Sequence, residues 1–157
     1  MTLSGGNLFF VNKVSFFATI SEHTKFTTAE HILNRKIEQL VQASKHVQAV
    51  YIPRGFRIKY MLMDGECVPV KHELASFGII LNTISANEPV PKIERQIRVI
   101  KECVRATRQR YPFKVIPSAM LIQLIYSSSL SINPSPPKGG VSATLSPRNL
   151  MTGIQFD

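Results

Sequence analysis

The stretch Ile58-Lys59-Tyr60-Met61-Leu62-Met63-Asp64-Gly65 decides the fold. Ile58, Tyr60 and Leu62 alternate with Arg57, Lys59 and Met61, and the end of the run is nearly all apolar. This pattern predicts a strand that becomes buried on both faces toward its C-terminus. Asp64-Gly65-Glu66 ends it. Residues 70–77 read as a short helix, and Gly78–Thr83 as a second strand. A loop follows over residues 85–91, and then a long helix from Lys92 to about Arg110, stopped by Tyr111-Pro112. Strands that alternate with amphipathic helices predict a three-layer α/β domain.

Working outward, Leu8-Phe9-Phe10-Val11 and Val14–Ile20 flank Asn12-Lys13, the pattern of a β-hairpin. A third strand is expected near Lys25–Thr27. Thr27-Thr28-Ala29-Glu30 matches a capping box, with Thr27 as N-cap and Glu30 three residues on. A helix is therefore expected from there to Tyr51, with Leu33, Ile37, Leu40, Val41, Val47 and Tyr51 on its apolar face. Pro53-Arg54-Gly55 stops it. A last helix is expected over about Pro117–Leu130. The organisation predicted is a folded domain over residues 1–132 and an irregular Pro/Ser/Gly-rich tail over 133–157.

At 157 residues and 44% hydrophobic composition the chain is long enough for one core and too apolar for a disordered segment. No apolar run reaches the roughly 18 residues a membrane helix needs. Met1–Gly6 lacks the basic start and apolar core of a signal peptide. Two cysteines, Cys67 and Cys103, cannot build a disulfide framework or a cysteine-rich zinc site. An intracellular compartment is the expectation. The net charge is +9, which favours a phosphate-bearing partner.

The acids are few enough to weigh singly. Asp64 follows the buried strand, and in open α/β sheets ligands gather at the carboxyl ends of strands. The plainer reading is a turn or cap residue. Glu94 lies in the first turn of the 92–110 helix, where a carboxylate also suits the helix dipole. Arg98, Lys101, Arg105 and Arg108 follow Glu94 at steps of four, three, four and three, all on one face. Ile93, Ile97, Ile100 and Val104 form the adjacent apolar face. Eight of the 19 Lys and Arg residues fall between Lys92 and Lys114. A solvated basic face is the ordinary explanation of such a run. A line of cations headed by a carboxylate also suits a phosphodiester backbone passing a metal ion.

The segments Met61-Leu-Met-Asp-Gly-Glu-Cys and Leu81-Asn-Thr-Ile-Ser-Ala-Asn-Glu-Pro-Val-Pro-Lys-Ile-Glu-Arg-Gln-Ile-Arg-Val-Ile-Lys-Glu resemble the catalytic core of retroelement integrases, above all the copia type. Leu8-Phe-Phe-Val-Asn, Lys25-Phe-Thr-Thr-Ala-Glu-His and Thr144-Leu-Ser-Pro-Arg-Asn-Leu-Met-Thr-Gly look like the same group, so the resemblance spans nearly the whole chain. It implies an RNase H-like fold, a five-stranded mixed sheet with helices on both faces. It also implies DNA integration with two Mg²⁺ (or Mn²⁺) ions held by an Asp-Asp-Glu triad, action in the nucleus, and DNA, both element ends and target, as partner. Integrase relatives work as multimers, so a homo-oligomer is also implied. The second Asp falls on Asp64 and the Glu on Glu94. The family's DNA-contacting basic residues fall on Arg98 and Lys101. The position of the first Asp is held by Asn7, after Gly5-Gly6. Asn offers one neutral carbonyl oxygen where the triad uses a charged, bridging carboxylate. Glu22 is the other acid near the hairpin. The resemblance therefore implies an integrase core whose site is degenerate. A catalytically inactive nucleic-acid-binding remnant and a basic protein-interaction module stand as alternatives. The basic helix carries no aromatic, lipid-facing stripe, which weighs against a membrane partner.

The other motifs read plainly. His23, His31, His46 and His72 are scattered, with no paired Cys at zinc-ligand spacing. Cys67 reads as a structural thiol and Ser127-Ser128-Ser129 as a polar helix end. Met61 and Met63 read as core. Gly139-Gly140 reads as a turn, since no helix with Lys-Ser/Thr follows it.

Overall fold

The computed structural model describes residues 2–84 and 91–154. Five strands, β1 (Thr2–Val11), β2 (Val14–Ser21), β3 (Thr27–Ile32), β4 (Tyr60–Asp64) and β5 (Ile80–Ile84), form one sheet in the order β3-β2-β1-β4-β5. β1, β2 and β3 are antiparallel neighbours, while β4 runs parallel to β1 and β5 parallel to β4. The helices are α1 (Ile37–Tyr51), α2 (Lys71–Ser76), α3 (Pro91–Arg108), α4 (Ser118–Ile132) and α5 (Pro147–Thr152). The expected α/β class with a five-stranded mixed sheet flanked by helices is the observed one.

The hairpin closes where the sequence places it. Asn12 and Lys13 both take positive φ, 47° and 67°. That backbone twist matches the twist of the flanking strands, which is why two-residue hairpins use it. Alternation along the strands then sorts side chains to two cores. Phe17, Met61 and Met63 join Val41, Val47, Tyr51 and Leu74 on the α1–α2 side. Phe9, Phe16, Ala18 and Ile20 join Ile93, Ile97, Ile100, Val104 and Leu124 on the α3–α4 side.

The capping-box reading is overturned. Thr27–Ile32 is strand β3, and α1 begins only at Ile37 behind Lys36, without a side-chain cap. Long-range partners decide this. The Thr28 and Thr19 hydroxyls lie 2.6 Å apart across the β2–β3 ladder. The Thr27 amide donates to Asn133 Oδ1 at 2.9 Å, so it has no orphan role at a helix start. Leu33, expected on the helix's apolar face, is exposed.

The tail is also more ordered than its composition suggests. Ser146 caps α5 by accepting from the Asn149 amide, Pro147 occupies the first turn, and Met151 enters the α1–α2 core. Arg54 holds the far end, its Nε donating to the Met151 carbonyl at 3.0 Å. The outer edge of β3 is met by α4. Tyr126 Oη accepts from the His31 amide, and Asn133 takes both the amide and the carbonyl of Thr27. An edge strand covered in this way is a poor template for pairing with another chain.

Candidate functional site

β1 and β4 set the stage. Their last register pair is Gly6↔Met63, so Asn7 and Asp64 each stand one residue further along adjacent parallel strands. Neighbouring strands lie about 4.8 Å apart. Side-chain alternation fixes the face. Met61 and Met63 enter the α1–α2 core while Leu62 packs on the other side, so Asp64 belongs to the α3 side. Leu8 packs against the α1–α2 core and Phe9 against the α3–α4 core, so Asn7 shares that face with Asp64. Gly6 leaves the room that the Phe17 ring of β2 occupies. A Cβ at Gly6 would lie 2.9 Å from Phe17 Cζ.

Both polar groups are half-buried and each is partly occupied. Asp64 Oδ1 accepts from the Gly65 amide at 2.6 Å and caps a 3-10 helix, Gly65–Val70. The cap role is therefore shown, and it uses one of the two carboxylate oxygens. Asn7 Oδ1 accepts from the Leu8 amide at 2.8 Å. Cys67, buried three residues past Asp64, has its thiol pushed up to about 11 by burial first and then by the Asp64 and Glu66 carboxylates. A thiol so held stays protonated and unreactive near neutral pH.

α3 carries the third candidate, Glu94. Ile93, Ile97, Ile100 and Val104 are buried against the sheet, as expected. Lys92 and Gln96, on one flank, lie beside Ile132 of α4. Glu94, Arg98, Lys101, Arg105 and Arg108 form the opposite flank, whose C-terminal half shares a cavity with Leu121 of α4. Lys101 Nζ sits 5.9 Å from the centre of the Phe9 ring, on the same sheet face as Asn7. Lys101, Arg105 and Arg108 line a cavity of about 240 Å³ with Phe10, Val11 and Asn12 of the hairpin. Arg108 also donates to the Lys114 carbonyl at 3.0 Å. Among the described residues none of these five charged side chains forms an ion pair. Glu94 is exposed in the first turn, and the preceding loop over residues 85–90 lies outside the described residues.

Glu22 is placed elsewhere. Its carboxylate pairs with Lys92 and, at 3.6 Å, with Lys25, beyond the end of β2. It supplies no replacement for a carboxylate at Asn7.

The donor set does not fit a pair of divalent ions. Asn7 contributes a neutral oxygen already held by a backbone amide, and Asp64 has one oxygen engaged. Among the described residues no group of three or more His, Cys, Asp or Glu side chains is gathered to hold a metal ion. Two carboxylates offset only half of the charge of two close divalent cations. What the arrangement offers instead is a row of cations that form no ion pair among the described residues.

No family model matches the chain, and no curated protein matches it. Among solved structures it is similar to the crystal structure of the catalytic core domain of BIV integrase. The TM-score is 0.67 at 15% identity, and the match covers 97% of this chain and 93% of that one. No helix among the described residues is long and apolar enough to cross a membrane. The chain has the RNase H-like fold of a retroviral integrase catalytic core.

Proposed function

We propose that this chain is a retroelement integrase core of the copia type, by descent a DNA-joining enzyme of the nucleus. In its present form it holds DNA without joining it. Asn7 beside Asp64 is the observation that carries this reading: the position that should complete the carboxylate set holds a neutral amide. The unpaired flank of α3 supports the binding half of the reading. Arg98, Lys101, Arg105 and Arg108 present cations in a line, which suits successive phosphates of a backbone. In this reading Asp64 and Glu94 keep their ancestral catalytic positions, and divalent-ion binding is lost or weak.

The test is a strand-transfer reversal assay on branched DNA with Mn²⁺. The natural chain is run beside Asn7→Asp, with Asp64→Asn as control. Activity only in Asn7→Asp supports the reading. Activity in the natural chain that Asp64→Asn abolishes overturns the claim that the reaction is lost. DNA binding is measured in parallel against salt. Four phosphate contacts predict a log–log slope of about −4, and a slope near zero rules out the binding flank.

A further inference from the structure

The opposite flank of α3 carries a second cluster of cations, built differently from the first. Lys25 comes from the β2–β3 turn, Lys92 and Arg95 from α3, and Lys138 from the segment after α4. All four line one cavity of about 360 Å³, floored by Ile20 and Ile132, with Gln96 and Ser135 also on its wall. Like charges on a solvated surface gain by spreading apart, so convergence from three separate segments onto one concavity calls for a counter-charge. Among the described residues the carboxylate paired with this cluster is Glu22, which bridges Lys25 and Lys92. Arg95 and Lys138 form no ion pair among the described residues.

Lys25 is held for this position. Its φ is +57°, a conformation few residues other than glycine adopt, and its Nζ also donates to the Glu22 carbonyl at 2.6 Å. A non-glycine residue fixed in that region marks a place where the surroundings over-determine the backbone, as at ligand clamps. The cavity volume is at the lower end of the range for small-molecule sites. It exceeds what one orthophosphate fills.

We propose that this cavity binds a compact polyphosphate, two or three linked phosphates, which displaces Glu22 from Lys25 and Lys92 and brings Arg95 and Lys138 onto the same anion. Convergence of cations from three segments separates this site from the Arg98–Arg108 flank, where cations in a row on one helix suit an extended backbone. The proposal stands independently of the DNA reading.

Titration calorimetry with inorganic triphosphate, at fixed ionic strength and without divalent ions, tests it. The natural chain should bind one equivalent. Arg95→Gln combined with Lys138→Gln should weaken binding roughly tenfold or more, since charge-assisted bonds are lost. Glu22→Gln should tighten it by removing the competing carboxylate. Arg98→Gln combined with Lys101→Gln should leave it unchanged. All these side chains are solvent-accessible, and circular dichroism checks that each variant is folded. Sulfate binding as tightly as triphosphate overturns the proposal, as does equal weakening by the Arg98/Lys101 pair. Displacement of triphosphate by a single-stranded oligonucleotide at equal phosphate concentration overturns the choice of a compact ligand in favour of a backbone.

Discussion

Two asparagines in the same α/β layer are used in opposite ways. Asn133 is buried at the end of α4. Its Oδ1 accepts from the Thr27 amide, its Nδ2 donates to the Thr27 and Ser129 carbonyls, and its own carbonyl accepts from the Arg148 amide. One residue thus ties β3, α4 and the start of α5. Asn7 is half-buried at the centre of the sheet, and its side-chain bond reaches only the next residue, Leu8. Asn133 is explained by the fold. Asn7 is not, because a single local bond is a weak reason to place an amide on the middle strand. A polar residue the fold does not require is where a lost or altered function leaves its trace.

The comparison breaks first at Asn133. Asn133→Ala leaves the buried amide and carbonyl of Thr27 without partners, a loss of about 2–4 kcal/mol from two unsatisfied groups. Urea denaturation should show a large drop in midpoint at constant slope. Asn7→Ala in the same assay should lose no more than about 1 kcal/mol. Equal losses would erase the distinction between the two residues.

Gly6→Ala comes next. The added Cβ meets Phe17 in a buried site and has to push the ring, which costs about 1–3 kcal/mol. The position is tight for a packing reason, so its stability loss should appear whether or not DNA is bound. Asn7→Asp sharpens the contrast further. A second carboxylate about 4.8 Å from the Asp64 strand repels it, by roughly 1–2 kcal/mol in a half-exposed setting. Thermal denaturation at pH 7 should show that loss. Mn²⁺ should restore the midpoint of Asn7→Asp and leave the natural chain where ionic strength alone puts it. A natural chain that gains as much from Mn²⁺ would mean that Asn7 is no defect.

Local signals were readable and long-range ones were not. The Asn12-Lys13 turn, the Pro53-Arg54-Gly55 stop and the apolar face of α3 each depend on neighbours within a few residues. Thr27-Thr28-Ala29-Glu30 misled because it satisfies a local helix rule, while its actual partners, Thr19 and Asn133, are 9 and 106 residues away. α5 was hidden by composition, although Ser146-Pro147 is itself a helix-start signature. At the site, Asp64 and Glu94 stood out by position. Only the parallel β1–β4 register puts Asn7 beside Asp64. The convergence of Lys25, Lys92 and Lys138 has no local signature at all.

The smallest expected effect concerns a third polar residue, Glu30 on β3. It pairs with His46 at 3.7 Å, yet its carboxyl is raised above the usual carboxylate range, because burial outweighs the attraction of an exposed imidazole. The sign follows from linkage. The native state holds the Glu30 proton more tightly than the unfolded chain does. Stability tied to this group is therefore fully present below the unfolded value, and it is lost as pH rises through the folded one. Glu30→Gln keeps the shape without the charge. It should raise the urea midpoint slightly at pH 7, by no more than about 1 kcal/mol for a pair this exposed. The advantage should shrink on acidification and vanish below about pH 4, where both states of the natural chain carry the proton. A destabilised Glu30→Gln at pH 7 would instead mean that the His46 pair overcomes burial. Glu30 would then rank with Asn133, as a polar group whose partner justifies its place.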